Sequence, residues 1–180
     1  MSESYFLQTE HLGLRPLRED DAEEYFVWFD DLEVCRGNSH HRFPESLESV
    51  KNYIRHTKED RTVLVFAIIE LASQRHIGNI SLQSINYIDR NAELAILCGD
   101  KESWGKGYGT EAVQELVRHA FQALNLHRIY LGTLDSNLKM QKLALKAGFL
   151  EEGRRKDALY KEGTYHDIIE YGLLKKVVEK

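Results

Sequence analysis

The sequence predicts an α/β fold, with a mixed sheet in a single domain spanning residues 1–180. Three observations carry this. Stretches of strand-like alternation recur along the chain, with helix-period stretches inserted among them. No repeat, low-complexity stretch or Pro/Gly/Ser-rich linker divides it. A chain of 180 residues can bury one sizeable core.

The elements follow in order. His11 to Leu17 places Leu12, Leu14 and, past Pro16, Leu17 as an edge strand with a proline near its end. Asp20 or Asp21 is placed to N-cap a helix whose apolar face is Ala22, Tyr25, Phe26 and Phe29. Gly37 to Pro44 reads as a loop. Ser46 caps a second helix with Leu47, Val50 and Ile54 on one side. Val63 to Ile69 is a continuous apolar run, as for a buried strand. After a turn at Ser73-Gln74, Ile77 to Ile85 alternates. Asn91 to Cys98 is the fourth strand, with Ala92, Leu94, Ile96 and Cys98 on one face and Glu93, Ala95 and Leu97 on the other. A helix with the stripe Val113, Leu116, Val117, Ala120 and Leu124 comes next. Ile129, Leu131 and Thr133 mark another strand. Asn137 opens a helix with Met140, Leu143, Ala144 and Ala147 inward, and Gly148 suits its C′ position. Two final strands flank Lys161 to Thr164 and end near Leu174.

A hydrophobic content of 42% and a charged content of 29% describe a soluble globule. No apolar run approaches the ~20 residues of a membrane span. The first residues, Met1 to Tyr5, lack the basic and apolar regions of a signal peptide. Cys35 and Cys98 form no disulfide framework and have no metal-like spacing. The expectation is a cytoplasmic protein with no metal and no membrane partner. The net charge of −5 argues against a nucleic-acid binder, and it is compatible with an amine substrate.

The most informative stretch is Trp104-Gly105-Lys106-Gly107-Tyr108-Gly109-Thr110-Glu111-Ala112, between the fourth strand and the long helix. Glycines permit a turn with positive φ and close ligand approach. The first N–H groups of a helix lack partners, and its dipole favours an anion there. A phosphate or diphosphate is the expected guest. The spacing is neither the P-loop pattern, since Lys106 precedes the last glycine, nor the dinucleotide G-x-G-x-x-G.

The segment from Ile77 to Phe149 resembles the GNAT superfamily of acyl-CoA-dependent N-acetyltransferases. Its closest likeness is to the branch holding the ribosomal-protein-alanine (RimJ/RimL-type) and spermidine enzymes. The matching residues are Ile77-Gly78, Asn91-Ala92-Glu93-Leu94, the Trp104–Ala112 loop, Leu126-His127-Arg128-Ile129, Asn137 and Ala147-Gly148-Phe149. The likeness extends more weakly to Leu14-Arg15-Pro16-Leu17 and to the C-terminal hairpin. It implies one domain with a central twisted, mostly antiparallel sheet flanked by helices. It also implies acetyl-CoA as co-substrate and direct transfer of the acetyl group to a primary amine. Trp104 stands where the superfamily usually has Gln or Arg. Ala144 stands where many members carry a tyrosine that protonates the leaving thiolate.

The resemblance implies that Trp104, Gly105, Lys106, Gly107, Tyr108, Gly109 and Thr110 hold the diphosphate. Main-chain groups of Ile96, Leu97 and Cys98 hold the pantetheine arm on the same grounds. Asn137 either bonds the pantetheine amide or simply caps its helix. Lys106 either neutralises phosphate or points to solvent. Attack on a thioester needs a neutral amine, and a nearby carboxylate can take the proton. Glu93 is the candidate: relatives use an acid on this strand, and its face is otherwise apolar. Its alternative is an edge residue paired with Arg90. Asp31, Glu33, His40 and His41 fall in the region that flanks the acceptor by analogy. For these four, a solvated helix end and loop is the alternative reading. The acceptor is left open among a protein N-terminus, a polyamine, an amino sugar and a small amine metabolite. A non-catalytic acyl-CoA-binding module is the rival from another class, and a homodimer is left open.

Overall fold

The computed structural model describes residues 4–38 and 42–176. Its strands are β1 (Leu7–Gln8), β2 (Leu12–Pro16), β3 (Leu64–Glu70), β4 (Arg75–Asn86), β5 (Asn91–Cys98), β6 (Arg128–Leu134), β7 (Leu150–Lys161) and β8 (Thr164–Leu174). They form one sheet in the order β1-β2-β3-β4-β5-β6-β8-β7. Every neighbouring pair is antiparallel except β5 and β6, which run parallel. The helices are α1 (Ala22–Asp30), α2 (Leu32–Cys35), α3 (Leu47–Thr57), α4 (Tyr108–Gln122) and α5 (Leu138–Lys146). The fold is thus α/β, with a mostly antiparallel sheet between helices.

Each face of the sheet has its own core. Helices α4 and α5 cover one face, where Val113, Leu116, Val117, Ala120 and Ala144 meet Leu82, Ala92, Leu94, Ile129 and Leu131. Helices α1 to α3 cover part of the other, where Ala22, Tyr25, Trp28, Val50 and Ile54 meet Val65, Ala67 and Ile69. This division follows from side-chain alternation: Ala92 and Leu94 face α4, whereas Leu97 packs toward α1.

Two expectations need correction. The strand through Leu12 and Leu14 is not an edge, because β1 folds back on it and pairs Leu7 with Leu14. Asp21 occupies the N-cap position of α1 but makes no capping bond there. Its carboxylate instead takes both guanidinium nitrogens of Arg15 at 2.7 Å and the N–H of Arg18 at 2.7 Å. A buried ion pair to β2 therefore outcompetes the cap, since an unpaired Arg15 would be costly in the core. Ser46 does cap α3, accepting from Ser49 N at 3.0 Å.

The turn that leaves β5 is tightly packed. A Cβ on Gly99 would lie 1.9 Å from Trp28 Cδ2 and 2.2 Å from Cε2, and Trp28 is itself buried against His76 and Tyr25. Gly99→Ala should therefore cost about 1–3 kcal/mol, the usual range for overpacking. An unchanged urea midpoint would show that α1 moves freely over the sheet.

Candidate active site

The ladder between β5 and β6 holds only the pairs Asn91↔Arg128, Ala92↔Ile129 and Glu93↔Tyr130. Both strands continue, to Cys98 and Leu134, without pairing to each other. Leu94 to Cys98 stay bonded to β4 on their other side, as in Leu94↔Leu82 and Cys98↔Gly78. The strands have parted, and β5 offers an open main-chain edge along the gap.

Helix α4 begins beside the end of that edge. Gly105 and Gly107 have φ of +79° and +89°. Gly107 is the N-cap residue of α4 in the left-handed region. The first intrahelical bond runs from Glu111 N to Gly107 O at 3.1 Å, so the amides of Tyr108, Gly109 and Thr110 precede it and lack helical partners. A Cβ on Gly105 or Gly107 would meet nothing within 4 Å. Bare backbone thus faces open space at the positive end of a fifteen-residue helix, a setting suited to an anion. Beside it, Gly107, Thr110, Gln114 and Lys146 help line a depression of about 440 Å³.

Several sequence-predicted residues have firm partners. Trp104 donates its indole N–H to Cys98 O at 2.9 Å, and Lys139 Nζ sits 4.2 Å from its ring centroid. The Cys98 carbonyl, expected along the gap, is therefore already engaged. Burial pushes the Cys98 thiol up to about 11, which keeps it protonated and a poor nucleophile. Lys106, though its side chain is partly exposed, reaches back to β3: its Nζ lies 3.3 Å from Glu70 Oε1. Asn137 caps α5, accepting from Met140 N at 3.2 Å, and its amide donates to Gly37 O at 3.1 Å.

Helix α2 roofs the far end of the gap. Lys101, just past β5, pairs with Asp31 at 2.7 Å and Glu33 at 3.2 Å. Asn137, just past β6, holds Gly37. Lys161 Nζ donates to the carbonyls of Cys35, at 2.5 Å, and Asn38, at 2.7 Å. Asp31 also caps α2 through Glu33 N and Val34 N. Both acids expected to attract a cation are thus committed to Lys101. His40 and His41 lie outside the described residues. Leu32, Cys35, Arg42, Phe43, Tyr160, Lys161 and Glu162 line a cavity of about 450 Å³ against this roof. Arg42 and Lys161, neither singled out from the sequence, put two positive charges there against the one negative charge of Glu162.

Glu93 sits at the last pair before the strands part, opposite Tyr130 on β6 and Gln83 on β4. Its neighbours across the sheet are therefore more polar than its own strand suggested. Among the described residues no hydrogen bond or ion pair engages its carboxylate. Arg90, its alternative partner, instead bonds Asn125 O at 2.9 Å. Ala144 is fully buried in α5 and supplies no proton. Among the described residues no group of His, Cys, Asp and Glu side chains is placed to hold a metal.

The arrangement has close counterparts. Residues 11–150 match the family model described as the acetyltransferase (GNAT) domain. A spermidine N(1)-acetyltransferase of Vibrio cholerae is 33% identical over 124 residues, 69% of either chain. A putative ribosomal N-acetyltransferase of Bacillus subtilis is 38% identical over 99 residues, 55% of this chain and 54% of that one. The crystal structure of the Vibrio cholerae spermidine N-acetyltransferase in complex with CoA and spermine superposes with a TM-score of 0.85. It is 27% identical and covers 92% of this chain and 96% of that one. The chain belongs to the GNAT acetyltransferase family.

Proposed function

We propose that this GNAT-family chain transfers an acetyl group from acetyl-CoA directly to a primary amine. The observation that carries this is the meeting of two features: an open β5 edge where the sheet parts, and a glycine-rich helix N-terminus at its end. Together they suit an extended amide-bearing arm joined to a diphosphate. The free edge of Ile96 and Leu97 would take the arm, and the amides from Lys106 to Thr110 the diphosphate. A CoA complex of a relative with TM-score 0.85 supports the fit. Acetyl-CoA brings the acetyl group already activated as a thioester.

Glu93 is the proton acceptor in this reading. Its free carboxylate lies where the strands part, on the face opposite α4 and α5, so amine and thioester reach the gap from different sides of the sheet. A hydroxyl at Ala144 is missing, so the departing thiolate takes its proton from water. The cytoplasm, where free thiols such as Cys35 and Cys98 persist, is the compartment we assign.

For the acceptor, the cavity under α2 favours an amine with no second cationic group, such as a peptide N-terminus. Asp31 and Glu33 share the single charge of Lys101, and Arg42 and Lys161 outnumber Glu162 among the charged residues that line the cavity beside apolar Leu32 and Phe43. The spermidine enzyme among the relatives supports a polyamine instead. Thiol release from acetyl-CoA with a panel of peptides, spermidine, glucosamine and free amino acids decides. A peptide should give the highest kcat/KM. Preference for spermidine would overturn the acceptor assignment alone. CoA binding with no release for any amine would indicate a non-catalytic binding module.

A further inference from the structure

Glu70 ends β3 as a charged residue in a buried setting, with only 6% of its surface exposed. It is not in the glycine loop and touches neither the gap nor the α2 cavity. Its bonds nevertheless run to the loop. Tyr108 Oη donates to Glu70 Oε1 at 2.8 Å, and Lys106 Nζ reaches the same oxygen at 3.3 Å. Ser73 Oγ donates to the second oxygen, toward which Arg75 Nη2 also points from 3.9 Å. Arg75 in turn pairs with Asp100 at 3.0 Å and Glu102 at 3.1 Å, in the segment leading into the loop. Lys106 and Tyr108 flank Gly107, the residue with φ of +89°. Their side chains thus leave the loop on one side and converge on a single carboxylate, while the bare glycine backbone is left on open space.

We propose that Glu70 is a positioning residue for acetyl-CoA: by holding Lys106 and Tyr108 it fixes the Gly105–Gly109 backbone so that main-chain amides, rather than the Lys106 ammonium, meet the diphosphate. This rests on the reading that the loop takes the diphosphate. Without these two tethers the loop samples other conformations, and the amides converge only part of the time. Apparent affinity then falls by the fraction of molecules that are competent. The fixed β3 end makes a rigid anchor: Glu70 pairs with Leu12 on one side and Arg75 on the other, and Leu71 N bonds His11 O at 2.9 Å. Bonds from Ser73 and Tyr108 and the charge of Lys106 hold the Glu70 carboxyl down to about 2, so the anchor stays ionised at any ordinary working pH.

A double-mutant cycle tests this. The four proteins are wild type, Glu70→Gln, Lys106→Met and the double variant. CoA affinity is measured by calorimetry, KM and kcat by thiol release, and folding by thermal melts. Glu70→Gln should weaken CoA and raise the acetyl-CoA KM about tenfold, the scale of one hydrogen bond to a charged group. Saturated kcat and the amine KM should stay within about twofold, as expected when only ground-state positioning is lost. Lys106→Met should weaken CoA in the wild type and add little to Glu70→Gln. Tyr108→Phe removes one tether without touching the buried acid. It should act in the same direction, and likewise add little to Glu70→Gln, even where Glu70→Gln itself lowers the melting temperature.

An equal loss from Lys106→Met in both backgrounds would show that the lysine binds phosphate itself and would overturn the proposal. Unchanged or tighter CoA binding in Glu70→Gln would do the same. Should Gly107→Val bind CoA as well as the wild type, the loop is not the diphosphate site, and the underlying reading fails first.

Discussion

Gly107→Val is expected to weaken CoA binding at least about a hundredfold while leaving a folded protein. The scale corresponds to two amide bonds to a charged ligand, at roughly 1.5 kcal/mol each. Gly107 has φ of +89° and ψ of −5°, a region that a β-branched residue occupies only under strain of about 1–3 kcal/mol. In the free protein a Cβ added at Gly107 meets no atom within 4 Å, so no core atom has to move to admit it. It projects instead into the space where the diphosphate must come within hydrogen-bond reach of the backbone. Gly163 provides the control. It has φ of +84° in the β7–β8 turn, and its added Cβ also meets nothing within 4 Å. Gly163→Val should carry a similar stability cost and keep full CoA affinity. Calorimetric titration of the two variants separates strain from ligand exclusion. Wild-type affinity in folded Gly107→Val would remove the loop from the binding site.

The glycine spacing was legible because it is local: three glycines at alternate positions before a helical stripe show both a turn and a helix start. Strand β5 was legible because its first half, Asn91 to Leu94, alternates in burial and its second half runs on as an apolar stretch to Cys98. Elements of two to four residues leave no such mark. Strand β1 has only Leu7 and Gln8, and α2 only Leu32 to Cys35, so both were passed over. For α2 the signal was Asp31, whose side chain accepts from Glu33 N and Val34 N as an N-cap does.

Pairings across long sequence distances were hidden altogether. Asp31 and Glu33 read as a free acidic group because their partner, Lys101, lies about seventy residues away. Lys106 read as a phosphate ligand or a solvated side chain for the same reason, since Glu70 lies just past the apolar run Val63 to Ile69 and far from the loop in sequence. Glu70 sits where the pattern of β3 calls for one more apolar residue, Val65 to Ile69 being buried before it. A buried acid there needs partners, and the only trace of them in sequence is the mismatch itself.

Glu93→Gln is expected to lower kcat by at least about tenfold near neutral pH with acetyl-CoA affinity nearly intact, since a positioned base contributes typically about 10²–10⁴-fold. Glutamine keeps the size of the side chain and removes its basicity. The carboxylate has no hydrogen bond or ion pair among the described residues, so its loss strips no partner from the fold and should barely move the melting temperature. The pH profile then tells a base from a substrate-holding residue. The α-amino group of a peptide acceptor, near 7.7–8.0, is already about a tenth neutral at pH 7, whereas an alkyl ammonium, near 10.4, is neutral in only about one of several thousand molecules. Each rise of one unit multiplies the neutral fraction about tenfold in that range, which lessens the need for a protein base. The gap between variant and wild type should therefore narrow toward pH 10, and by less for an acceptor of lower pKa that is already largely neutral. A deficit that stays constant with pH, together with a raised amine KM, would make Glu93 a binding residue. Near-normal kcat at pH 7 would mean that the amine loses its proton to solvent before it enters. The carboxylate at the parting of β5 and β6 would then have no part in the chemistry.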